Sequence, residues 1–235
     1  MTLADDIRRN IDTVRERIAK ACAGAGRDPG EVEILAVTKQ VEPPRIQQAW
    51  ERGIRLFGEN RVQELVRKME AVRFPVKWHM IGQLQKNKVK YVINTVSLIQ
   101  SLDRPSLAKE LDRQAKKLGR TVDVLVQVNI GKEPQKGGVA PEEALSFIET
   151  VDRDYDSLRI EGLMAIAPDV GGERSRPYFA AMRRLFEEAG GLRAQRVRMR
   201  CLSMGMSADY DAAVAEGATM VRLGSAIFGE RKQAR

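Results

Sequence analysis

Glu33-Ile34-Leu35-Ala36-Val37-Thr38-Lys39 is a short apolar run of the kind that becomes a buried parallel strand, and it ends in a lysine that no packing rule requires. Such a lysine either snorkels, its stem on apolar surface and its ammonium in water, or serves as an amine nucleophile. The same rhythm recurs outward from it. Strand-like segments are read at 34–39, 55–59, 77–81, 98–102, 122–130, 159–166, 198–204 and 220–228. Between them lie segments with apolar residues recurring at three and four, among them 61–71, 104–118, 141–153, 176–189 and 208–216. Eight strands alternating with helices predict an α/β protein built as one (β/α)8 TIM barrel over 31–231, with an extra N-terminal helix and linker over 1–30. A doubly wound open sheet would carry a glycine-rich phosphate turn after its first strand, and Thr38-Lys39-Gln40-Val41-Glu42 contains no glycine.

Composition narrows the classes of function. The 235 residues fit one barrel domain, 1–235, with no low-complexity linker or internal repeat to divide them. No apolar run is long enough to span a bilayer, and the N-terminal segment mixes acids and bases at helical spacing, unlike a signal peptide. A cytoplasmic protein without a membrane partner is expected. Cys22 and Cys201 lack metal-ligand spacing and His79 is the single histidine, so no metal site is expected. The net charge of +8 raises nucleic-acid binding as a rival function. Its bases are interspersed with acids, however, and the densest patch, Gln85-Lys86-Asn87-Lys88-Val89-Lys90, has no aromatic stacking platform.

In such barrels the chemistry lies at the carboxyl ends of the strands, and here those ends are rich in reactive groups. Lys39 ends the first strand, Asn60 follows the second, His79 lies on the third and Asn129 on the fifth. Ser203, Met206 and Ser207 end the seventh, and Arg222, Gly224 and Ser225 the eighth. Each has a structural alternative: Asn60 as a helix cap, His79 as a satisfied core histidine, Asn129 as a turn closer, Ser207 as an N-cap. The loops after the last two strands are the usual phosphate site, and Ser207 ahead of the segment 208–216 supplies a hydroxyl and a helix N-terminus for an anion. A lysine nucleophile and a phosphate cradle on one face fit an aldehyde cofactor that carries a phosphate, such as pyridoxal 5′-phosphate. An arginine opposite the ring nitrogen would leave that ring a weak electron sink.

The succession LAVTK, LFGENRVQE, KWHMIGQLQKNK, VLVQVNI with a following KGG, GLMAI and CLSMGMSADYDAAVAEGATMVRLGSAIFGER resembles the pyridoxal phosphate homeostasis protein family, the proline-synthetase co-transcribed group, from about Glu33 to Arg231. Met80 stands where many relatives carry an aromatic residue, a difference of packing. The resemblance implies a barrel similar to the N-terminal domain of alanine racemases, with pyridoxal 5′-phosphate held as an imine on Lys39. It also implies Asn60 and His79 near the ring, Arg222 at the ring nitrogen, Ser207, Gly224 and Ser225 at the phosphate, and Ser203 and Met206 lining the same pocket. The implied role is intracellular vitamin B6 homeostasis without established catalysis. Its partners would be the cofactor and recipient apo-enzymes, not nucleic acid, and its state a monomer or weak homodimer. The alternative is a pyridoxal-phosphate-dependent amino-acid racemase. In two-domain racemases a second proton donor, a tyrosine, comes from an additional C-terminal β domain, whereas this sequence ends shortly after Phe228-Gly229-Glu230-Arg231.

Overall fold

The computed structural model describes residues 3–230, so residue 231, the expected end of the barrel, lies outside the described residues. After α1 (Leu3–Gly24), strands and helices alternate: β1 (Glu33–Val37), α2 (Pro43–Glu51), β2 (Leu56–Glu59), α3 (Val62–Ala71), β3 (Lys77–Met80), α4 (Val89–Val92), β4 (Leu98–Leu102) and α5 (Pro105–Lys117). They continue as β5 (Val122–Val128), α6 (Ala144–Asp154), β6 (Leu158–Ala165), α7 (Arg176–Gly190), β7 (Val197–Ser203), α8 (Tyr210–Ala215), β8 (Met220–Leu223) and α9 (Ser225–Phe228). The strands form a closed barrel in chain order, with β1 paired in parallel to both β2 and β8. The expected fold class is thus the observed one.

Period-two alternation sorts each strand's side chains between two environments. On β1, Leu35 joins Leu56, Ile81 and Met220 in one cluster, while its neighbour Ala36 belongs to the large core shared with the helices. Leu98, Leu125 and Met164 form a further small cluster. Gly162 marks an irregularity in β6, where the register shifts against both neighbouring strands. Its φ is +153°, and a Cβ there would lie 1.9 Å from the Cys201 carbonyl oxygen. No other residue fits that approach.

The expected strand ends hold or shift by one residue, except for three that stop two or more residues early. β1 stops at Val37, which leaves Lys39 in a turn. β5 stops at Val128 because the Asn129 side chain turns to its own loop, donating to the carbonyls of Glu133 at 2.9 Å and Lys136 at 3.2 Å. The run 220–228 is a strand only to Leu223; Gly224 then accepts from the N–H groups of Ile227 and Phe228 and the chain curls into α9. Along α1, Ile7, Ile11, Val14, Ile18 and Cys22 are buried at spacings of three and four. Among the described residues no helix is long and apolar enough to cross a membrane.

Candidate functional site

At the carboxyl ends of the strands lies a cavity of about 700 Å³, within the usual range for a small-molecule site. Lys39, Asn60, Met206, Ser207, Arg222, Gly224 and Ser225 line it, which brings together seven of the nine residues read from the sequence. Lys39 enters from the turn after β1, half-buried, and among the described residues its Nζ makes no hydrogen bond or ion pair. The other lysine of the cavity, Lys136, is engaged: its ammonium donates to the Ala167 carbonyl at 3.0 Å and pairs with Glu133. Of the two, only Lys39 has an amine available to a ligand. An open groove of about 870 Å³ alongside shares Asn60 and Gln83 with the cavity but not Lys39.

Arg222 is buried at 4% exposure on β8, its Nη1 donating to Ser203 Oγ at 2.8 Å and its Nη2 to the Ala165 carbonyl at 2.8 Å. Two of five guanidinium N–H groups are thereby fixed, and the plane is set without consuming every donor. Burial lowers its pKa to about 10, against the raising field of Asp209, so it is a cation at neutral pH. This cation orders a buried chain of polar groups. Because Arg222 only donates, the Ser203 proton goes to Gln100 Oε1 at 2.8 Å, and the Gln100 amide nitrogen then faces His79 Nδ1 at 3.0 Å. Nδ1 is therefore an acceptor and the imidazole is neutral, in keeping with burial, which together with Lys77 lowers its pKa to about 4. Ser203 and His79, expected at the pocket, do not line the cavity; they stand one and three hydrogen bonds behind Arg222. Inward orientation is readable from strand periodicity, but depth along the barrel axis is not.

The loops after β7 and β8 meet at Ser207, whose Oγ accepts from the N–H groups of Gly224 at 3.3 Å and Ala226 at 3.1 Å. This corrects the expected helix 208–216, which begins only at Tyr210. The Ser207 hydroxyl addresses α9 instead. The Met206 N–H donates to Asp209 Oδ1 at 2.7 Å, tying the turn to the start of α8. Gly205 has a φ of +91°, and a Cβ would come 2.6 Å from that of Ala213, so only glycine lets this loop lie on α8. Two loops thus meet at one wall of the cavity, joined through the Ser207 hydroxyl.

Gln127, at the end of the fifth strand, and Lys136 also line the cavity, and neither is among the nine residues expected to hold the cofactor. Gln127 holds the Gly137 carbonyl at 2.8 Å and folds the segment containing Lys136 over the opening. The Lys136-Gly137-Gly138 motif was the available signal. Asn129 closes the same loop from outside the cavity. Among the described residues no group of His, Cys, Asp and Glu could hold a metal ion.

Residues 4–232 match the family described as alanine racemase, N-terminal domain. A pyridoxal phosphate homeostasis protein of Aquifex aeolicus is 44% identical over 224 residues, 94% of this chain and 97% of that protein. The structure of PipY from Synechococcus elongatus PCC7942 with PLP bound superimposes with a TM-score of 0.81 at 33% identity, covering 95% of this chain and 100% of that one. An alanine racemase of Clostridium difficile shares the fold, with a TM-score of 0.73 at 16% identity over 97% of this chain and 57% of that one.

Proposed function

The chain belongs to the pyridoxal phosphate homeostasis proteins, within the alanine racemase N-terminal domain family, and from that membership we propose how its cavity takes pyridoxal 5′-phosphate. The protein binds this cofactor and serves its intracellular homeostasis. Two free thiols, Cys22 and Cys201, are compatible with a reducing cytoplasm. The donor set fits the group: an available amine for its aldehyde, a buried guanidinium for its ring nitrogen, and for its phosphate a serine hydroxyl whose oxygen is fixed by two backbone N–H groups.

In this reading Lys39 is the attachment residue: its Nζ forms a carbon–nitrogen double bond with the aldehyde carbon, and the carbonyl oxygen leaves as water with the two amine hydrogens. Asn60 and Met206 flank the ring, and Ser207, Gly224 and Ser225 hold the phosphate. Ser203 and His79 act at one remove by holding Arg222. The Arg222 cation keeps the ring nitrogen unprotonated, which suits holding the cofactor rather than stabilising a carbanion on it.

The observation that carries the reading is the unpartnered amine of Lys39 in a cavity whose other lysine is engaged. The test is borohydride reduction of cofactor-loaded protein followed by peptide mapping. The cofactor is expected on Lys39. Lys39→Ala should lose the visible absorption band yet keep the fold, since a half-buried turn lysine contributes little packing. A label on Lys86 or Lys136 instead would overturn the assignment.

A further inference from the structure

We propose that Lys68, with Glu59, Glu64 and Thr38, is the positioning device that fixes the backbone from which Lys39 reaches the cavity. The proposal rests on Lys39 as the attachment residue.

Lys68 lies on α3, a surface helix, where a lysine ordinarily extends its ammonium to water. Here its side chain is 1% exposed and Glu59, at the end of β2, is fully buried. An ammonium can be buried only if its hydrogen bonds are met. All three are: Nζ donates to the Thr38 carbonyl at 2.5 Å, Glu59 Oε1 at 2.5 Å and Glu64 Oε1 at 2.7 Å. Thr38 Oγ1 donates to the same Glu59 oxygen at 2.6 Å. The Gln40 N–H donates to Glu64 Oε1 at 2.6 Å. Both peptide neighbours of Lys39 are thus tied to one ion cluster, while the Lys39 side chain remains outside it.

The turn needs such holding. Gln40 has a φ of +60°, a left-handed conformation that costs a non-glycine residue about 1–2 kcal/mol. A cluster of two carboxylates and one ammonium is a poor way to gain net stability, because desolvation offsets most of the attraction. What it does supply is a single geometry. Burial pushes the Glu59 carboxyl above its usual range, against the hydrogen bonds of Lys68 and Thr38, and its Oε2 has no partner. Despite its own desolvation, Glu64 is held below that range by Lys68 and the Gln40 N–H. The strained backbone on one side of Lys39 and the buried threonine on the other are therefore locked by one cluster of charges.

Removing Lys68 alone would strand two carboxylates and can unfold the chain, so the test uses Glu59→Gln/Lys68→Met together and, separately, the near-isosteric Thr38→Val with Thr38→Ser as rescue. Three measurements are made on folded protein: the rate at which pyridoxal phosphate attaches to Lys39, the affinity for pyridoxine 5′-phosphate, which lacks the aldehyde, and hydrogen exchange of the Gln40 and Val41 amides. The double variant should attach on the order of tenfold more slowly or worse, the scale for a misplaced reacting group. It should bind pyridoxine 5′-phosphate within about twofold of the parent, a difference well under 1 kcal/mol, and exchange the Gln40 amide faster. Thr38→Val should move in the same direction and Thr38→Ser should recover. Parent-like attachment and exchange in the folded double variant would overturn the proposal. A parent that carries no cofactor on Lys39 overturns the functional reading instead, and the exchange measurement then decides the positioning role alone.

Discussion

Ser203 and Ser207 bear the same hydroxyl four residues apart, yet partners assign them different work. Ser203 is fully buried between Arg222 and Gln100, whereas Ser207 lines the cavity and accepts two backbone N–H groups. Ser207→Ala should therefore weaken cofactor binding by about 1–2 kcal/mol, the scale of a hydrogen bond to a charged group. Fluorescence titration reads this directly, and an unchanged affinity, or inorganic phosphate that fails to compete, would remove Ser207 from the phosphate site. His79 gives a second prediction. Its imidazole protonates near pH 4 in the folded chain but near its ordinary value of about 6.5 when unfolded, so between these values the unfolded state holds more protons. Stability from the neutral histidine is complete above about pH 6.5 and falls as the pH is lowered toward 4, by up to roughly 3 kcal/mol. As the only histidine, it can be followed without ambiguity by NMR. An imidazole signal titrating near 6.5 in the folded protein would refute the buried hydrogen bond to Gln100.

At the scale of elements, α1 matters because it grips the elements beside the wall proposed to take the phosphate. Asn10 donates to the Ile227 carbonyl at 3.0 Å, Arg27 donates to the carbonyls of Val214 and Ala218, and Arg17 pairs with Asp211. Ile11, 1% exposed, stands mid-stripe, so Ile11→Ala should cost about 2–4 kcal/mol in urea unfolding with the slope unchanged. A loss below about 0.5 kcal/mol, the range of ordinary surface substitutions, would mean that α1 is peripheral. The N-terminal helix was legible from acids and bases at helical spacing, though not its apolar stripe, and all eight strands were legible because each is a short apolar run between amphipathic segments. The ends were not. Whether Ser225-Ala226-Ile227-Phe228 extends β8 or curls into α9 is decided by Gly224 accepting from two later N–H groups, and no pattern of apolar residues encodes that. Lys68 was hidden for a different reason, since lysine on a helix reads as solvent-facing. The clue was its register: Val62, Leu65 and Val72 define a buried stripe, and Lys68 falls on it.

For the whole molecule, surface bases such as Arg113, Arg176 and Arg183 pair with Glu110, Glu216 and Glu187, and the net charge of +8 is the excess of bases over acids left outside such pairs. What the barrel does with a bound cofactor depends on the proton donors that face it. Racemisation requires an acid and a base on opposite faces of the substrate, and loss of one typically costs roughly 10²–10⁴-fold. Among the described residues no tyrosine lines the cavity: Tyr91 is 51% exposed on α4, Tyr155 reaches the Pro105 carbonyl, Tyr178 packs against the core on α7, and Tyr210 is buried on α8 beneath Arg17. Lys136 is held by Glu133 and Ala167, and Asp209 by the Met206 N–H, so among the described residues Lys39 and the exposed carboxylate of Asp169 are the cavity groups left to move a proton. A charged guanidinium at the ring nitrogen would also deprive a carbanion of its usual electron sink. The expected outcome is negligible racemisation by cofactor-loaded protein given single enantiomers of alanine, serine and glutamate and followed by chiral chromatography. Turnover on the order of 1 s⁻¹, within the ordinary enzyme range, and abolished by Lys39→Ala, would make this chain a racemase whose second proton donor is another cavity group, with Asp169 the first to replace.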